Sequence, residues 1–164
     1  MVTASDSSTI SVAGYNDINA VEAIWWRLLN HQQNLDYRGS LEQLRTPKNA
    51  DRVRRFLEGR IRQGRLAVAK ISDEIVGICT FSPDGFLLDA PNAVWEISDV
   101  WVEPHARRKG IATSLINYAE YECKMRGSSQ VRLSVYNLNE AAISLYESLG
   151  FTISAHTFSR HLGP

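Results

Sequence analysis

The chain has 164 residues, and Lys plus Arg and Asp plus Glu number 18 each, so the formal charge is zero. That balance excludes a globally basic nucleic-acid binder and a polyacidic tail. An apolar share of 44% beside a charged share of 22% excludes a disordered chain. One domain over residues 1–164 is expected, with residues 1–8 a short polar leader that lacks the basic and apolar parts of a secretory signal. No apolar run reaches the roughly 18 residues of a membrane span. Cys79 and Cys123 sit in apolar strand-like and helix-like runs and read as buried small hydrophobes. His31, His105, His156 and His161 form no ligand spacing, so no metal is expected and a cytoplasmic location follows.

In chain order, residues 9–12 alternate and read as an edge strand. Asn16 or Asp17 caps a helix to about His31, with Ala20, Val21, Ile24, Leu28 and Leu29 on one face. A polar stretch follows over residues 36–40, with Leu41 and Leu44 in a short helical turn. Pro47 precedes a second helix over residues 50–63, closed by Gly64. Residues 66–71 and 75–81 flank Ser72, Asp73 and Glu74 as a hairpin, and Pro83, Asp84 and Gly85 signal a turn. A strand is expected over 94–102, a helix over 108–126 closed by Gly127, a strand over 131–135, a helix over 140–149 and two extended segments over 151–161. This order predicts an α/β (mixed α+β) domain: a mostly antiparallel mixed sheet of about six to seven strands with helices on both faces.

The segment from Val100 to Ala112 carries the most information. A strand ends at Pro104, a basic turn with Arg107, Arg108 and Lys109 follows, and an amphipathic helix begins. Such a turn offers unpaired N–H groups and a positive helix end to an anion, and Gly110 and Ala112 permit close approach. A solvated basic turn before a surface helix is the alternative. Neither GxxxxGK[ST] nor GxGxxG is present, which argues against a nucleotide triphosphatase and a dinucleotide enzyme.

The pattern Arg107-x-x-Gly110-x-Ala112 resembles the acetyl-CoA pyrophosphate loop of the GNAT superfamily of N-acetyltransferases. The downstream run from Val135 to Phe151, with Asn139, Ala142, Leu145, Tyr146, Gly150 and Phe151, is similar to that family's strand-then-helix segment. The resemblance is specific over about residues 95–151 and topological before that. It implies acetyl transfer from acetyl-CoA to an amine through a tetrahedral intermediate. Cofactor contacts then fall to Val100, Trp101 and Val102, to the run Arg107, Arg108, Lys109, Gly110, Ile111, Ala112 and Thr113, and to Asn139 and Tyr146. Asn139 serves equally well as a helix cap. Tyr146 is implied as the acid that protonates the thiolate, with ring packing between helix and sheet as its other role.

The resemblance also implies a base at Glu96. Period-two alternation sets Glu96, Ser98, Val100 and Val102 on one face and Trp95, Ile97, Asp99 and Trp101 on the other, so Asp99 is a reserve base on the opposite side. An exposed surface glutamate is the competing reading. The acceptor region implied by the family spans about residues 31–47, 81–92 and 151–161. Its Asp36, Tyr37, Asp84 and Asp89, with Glu96 and Asp99, suit a small cationic amine. A protein or peptide acceptor and a non-catalytic acyl-CoA sensor stay open, and a homodimer is the family's habit. Arg52, Arg54, Arg55, Arg60, Arg62 and Arg65 crowd the second helix above Val53, Phe56, Leu57 and Ile61; they read as a solvated face, and no nucleic-acid partner is expected without interleaved aromatics.

Overall fold

The computed structural model describes residues 8–33, 35, 46–84 and 94–157. Among them, five strands form one sheet in chain order: β1 (Thr9–Val12), β2 (Leu66–Ile71), β3 (Glu74–Pro83), β4 (Val94–Val102) and β5 (Gln130–Leu133). The first three contacts are antiparallel and β4 runs parallel to β5. The sheet is thus mixed and mostly antiparallel, with five strands among the described residues against the six to seven expected. The expected extended segments fall partly at residues 151–157, which join no strand, and partly outside the described residues. The leader at residues 1–7, the polar stretch 36–40 with Leu41 and Leu44, and Gly85 also lie outside them.

Four helices cover the two faces: α1 (Ile18–Gln33), α2 (Pro47–Arg62), α3 (Ile111–Met125) and α4 (Glu140–Ser148). One core holds Ala67, Val76, Cys79, Phe81, Trp95, Ile97 and Val102 under Leu115, Ile116, Ala119 and Cys123 of α3, with Leu145 and Tyr146 of α4 packed against it. The other holds Leu66, Val68, Ile78 and Trp101 against Val21, Ile24 and Leu28 of α1 and Leu57 and Ile61 of α2. β2 alternates between these cores while buried on both sides, which explains its unbroken apolar run.

Local chemistry sets the ends. A 3-10 turn over Tyr15–Asp17 leads into α1, where the Gly14 N–H donates to Asp17 Oδ2 at 2.8 Å. α2 begins at Pro47, three residues earlier than predicted, because Thr46 accepts from the Asn49 N–H and proline is tolerated in the first turn. Ser72 and Asp73 both take positive φ, as a two-residue hairpin turn requires. Two residues assigned to buried faces are exposed: Ala20 on α1, and Phe56 on α2, whose ring lies 5.0 Å from the Arg60 guanidinium.

Gly77 of β3 faces Val102 of β4 with no room for a side chain. A Cβ there would stand 2.9 Å from the Trp101 carbonyl oxygen and 3.1 Å from Leu115 Cδ1. Gly77→Ala is expected to destabilise the protein by about 1–3 kcal/mol through overpacking. A thermal denaturation midpoint equal to that of the unmodified protein would show that the sheet yields there.

Candidate active site

β4 pairs with β5 only from Val94↔Gln130 to Ile97↔Leu133. Residues 98–102 then continue with no strand beside them on the β5 side among the described residues, because β5 stops at Leu133, short of the 131–135 expected. The Glu103 N–H donates to the Val76 carbonyl across β3. Strand alternation therefore turns the main-chain groups of Val100 and Val102 toward the open side. A slot results that the Val100 N–H and carbonyl and the Val102 N–H face, while the Val102 carbonyl is taken by Arg107.

A bulge lies beside that slot. The β3–β4 register shifts between Ile78 and Thr80, and Asp99 takes φ 49°. The extra residue reverses the alternation, which corrects the sequence-based faces. Val100 and Val102 lie with Trp95 and Ile97 on the α3 side, while Trp101 faces α1 and α2. Glu96 and Asp99 are not on opposite faces: Arg60 of α2 is within electrostatic reach of both. Thr80 Oγ1 donates to Asp99 Oδ2 at 2.7 Å. Burial raises the Asp99 carboxyl above the usual range, opposed by the Thr80 hydrogen bond, the Trp25 indole and the charge of Arg60. The Trp25 Nε1–H, although close, falls outside hydrogen-bond geometry, and so does every group near the buried Trp101 Nε1.

At the open end of the slot, β4 leads through a 3-10 turn at Pro104–Ala106 to α3. Arg108 (φ 63°) and Gly110 (φ 77°) are left-handed, so α3 starts at Ile111 and not at residue 108. No side chain caps its first turn, which leaves the N–H groups of Ile111, Ala112 and Thr113 outward. Ile111 itself is buried and contributes only backbone here. A Cβ on Gly110 would meet nothing within 4 Å, so the space above this turn is open. Arg108 and Lys109 are exposed around it. Arg107 behaves differently: its Nε–H donates to the Val102 carbonyl at 2.9 Å and its guanidinium lies 4.7 Å over the Trp101 ring.

Tyr146 stands on α4, its ring 6.2 Å from Phe151 and packed against the α3-side core. Burial pushes its phenol up to about 12, and the nearby Cys79 adds to the rise. Asn139 is the N-cap of α4, its Oδ1 accepting from the Ala142 N–H at 3.2 Å, so its capping role is occupied. Asp36, Tyr37 and Asp89 lie outside the described residues. Asp84 pairs with Arg132 of β5 and closes that edge of the sheet.

The arginines of α2 divide. Arg54 bonds Asn19 and Glu22, and Arg62 donates to the Tyr15 hydroxyl, so both clamp α2 to its neighbours. Arg60, expected on a solvated face, is half-buried and lies within the electrostatic field of Asp99 and Glu96. The only cue was that it follows Leu57 by three residues, toward the buried side of α2. No cluster of three or more metal-ligating side chains occurs among the described residues, and no helix there is long and apolar enough to cross a membrane.

The family model of the acetyltransferase (GNAT) family matches residues 25–151. The chain belongs to that family. An uncharacterized N-acetyltransferase of Methanocaldococcus jannaschii is 45% identical over 58 residues, 35% of this chain and 26% of that protein. The chloroplastic GCN5-related N-acetyltransferase 6 of Arabidopsis thaliana is 29% identical over 101 residues, 62% of this chain and 31% of that protein. These GNAT relatives are thus matched over a third of their length or less. In fold, a predicted acetyltransferase of Clostridium acetobutylicum solved with acetyl-CoA superposes with TM-score 0.72 at 18% identity, over 95% of this chain and 97% of that one. The aminoglycoside N-acetyltransferase AAC(6')-Iy in complex with CoA superposes with TM-score 0.70 at 15% identity, over 99% and 100%.

Two outcomes test this geometry. Gly110→Ala is expected to cost about 1 kcal/mol of stability from its left-handed φ alone, while a CoA titration shows a larger loss; equal affinity would mean that no phosphate approaches this turn. For Tyr146, the raised phenol keeps its proton longer folded than unfolded. Its contribution is complete below pH 10 and is lost as pH rises toward about 12. An ultraviolet difference titration should lose its component near 12 in Tyr146→Phe.

Proposed function

We propose that this chain transfers an acetyl group from acetyl-CoA to the primary amine of a small cationic molecule. The observation that carries the reading is the unpaired edge of β4 at residues 98–102, opening onto the uncapped start of α3. The pantetheine arm fits that edge as an added strand would, through the Val100 main chain and the Val102 N–H, with the pyrophosphate on the N–H groups of Ile111, Ala112 and Thr113. Arg108 and Lys109 supply charge at the rim, and Asn139 and Tyr146 border the arm from α4.

The neutral amine nitrogen attacks the thioester carbon, a backbone N–H of the slot faces the developing oxyanion, and the C–S bond then breaks. The thiolate takes its proton from the Tyr146 hydroxyl. That phenol remains fully protonated through the physiological range because burial disfavours its anion. The amine's proton passes to a carboxylate beside the bulge. Asp99, raised by burial and fixed by Thr80, suits a base better than a solvated carboxylate does, and Glu96 stands with it under the field of Arg60. The two carboxylates against one arginine favour a cationic acceptor. The cytoplasm is the proposed location, consistent with two free buried cysteines. A homodimer would cover the exposed segment 152–157, where Ile153 is 73% exposed.

A thiol-release assay with acetyl-CoA across polyamines, aminoglycosides, amino acids and lysine or N-terminal peptides tests the reading. One small-amine class should respond, Tyr146→Phe should lower kcat by about 100-fold with CoA affinity intact, and Asp99→Asn should lose more than Glu96→Gln. Response to peptides alone moves the acceptor to a protein. CoA binding with silence throughout points to a sensor.

A further inference from the structure

We infer that Arg107 is a positioning residue that braces the turn between β4 and α3, and not a ligand of the cofactor phosphates. The reading rests on CoA as the ligand of that turn. Its support is geometric. The Nε–H of Arg107 is committed to the Val102 carbonyl at 2.9 Å, so the side chain folds back onto the strand from which the turn departs. The guanidinium lies 4.7 Å over the Trp101 indole, and that indole is buried, with the His31 ring of α1 5.4 Å away. One residue therefore ties three elements together: the end of β4, the turn, and the wall that α1 and Trp101 form. The anchoring extends below it, where Ala106 is fully buried and the Glu103 N–H is held by Val76.

The turn needs such a brace. Arg108 and Gly110 both hold left-handed backbone, and no side-chain cap bonds the outward N–H groups of α3, whose first turn is tied only through the Gly110 carbonyl to Ser114. Their usefulness to a pyrophosphate depends on that direction, since anion binding at a helix start is directional. The Arg107 contacts fix it from outside the turn.

The brace and a phosphate contact rank substitutions in opposite orders. Glutamine keeps a flat face for the indole and an N–H for the carbonyl but has no charge. Lysine keeps the charge but is a strongly hydrated point without a planar face. We would measure CoA affinity of the intact protein at several salt concentrations for Arg107→Gln, Arg107→Lys and Arg107→Ala, with thermal midpoints alongside. The brace predicts that glutamine stays within about threefold of the unmodified protein, and that lysine and alanine weaken binding about tenfold. It also predicts the same salt dependence in all three. In a Trp101→Phe background the gap between lysine and glutamine should shrink. Lysine near the unmodified affinity, with glutamine weakened and its salt dependence flattened, would overturn the inference in favour of a phosphate ligand. Equal affinity in all variants would overturn it too. Failure of the unmodified protein to bind CoA would instead remove the underlying reading of the turn.

Discussion

The site depends on one backbone constraint, the left-handed conformation of Asp99 in the middle of β4. A bulge inserts one residue, bends the strand and increases its twist. β4 and β5 stop pairing at Ile97 and Leu133, two residues before it, and among the described residues β4 then runs on beside β3 only. The bend accompanies the open edge at Val100 and the Val102 N–H, and it places Asp99 on the Thr80 hydroxyl of β3, within the field of Arg60. A non-glycine residue at positive φ costs free energy of the order of 1 kcal/mol or more, and it persists because the two cores hold the strand on both sides.

The division of the core follows from the same strand. Trp95, Ile97 and Val102 belong to the α3 side and Trp101 to the α1 side, so β4 separates two environments. On one side, α4 presents Tyr146 in apolar surroundings that favour its neutral form. On the other, Glu96 and Asp99 share the field of a partly buried guanidinium. In the proposed mechanism, donor and acceptor thus approach one strand edge from opposite faces of the sheet. This is how environment gives two titratable groups opposite duties.

Much of this frame was legible in the sequence. The bounds of β4, residues 94–102, follow from its alternation, and the break between β4 and α3 follows from Pro104 and Gly110. The direction of β4's side chains past Ser98 was not legible, because period two assumes a regular pleat and a bulge is a tertiary event. The single cue was the identity of residue 99, since aspartate tolerates left-handed backbone better than most residues. Ala20 and Phe56 failed for another reason: a helical stripe fixes spacing but not which marginal positions a neighbour covers.

Arg107 shows a third kind of limit. In the sequence it stands beside Arg108 and Lys109 as one basic cluster, and charge alone gives all three the same role. The fold separates them, because the 3-10 turn at Pro104–Ala106 carries the chain back over the end of β4 and sets Arg107 against Trp101. A guanidinium is suited to that place in a way an ammonium is not, since it stacks with its face and donates with its edge at once. Arg108, left-handed and exposed, and the neighbouring exposed Lys109 are the cations that the proposed function gives the electrostatic part. On the proposed reading the turn divides its work, with one cation holding the backbone in shape and others attracting the ligand, a division that charge in the sequence does not mark.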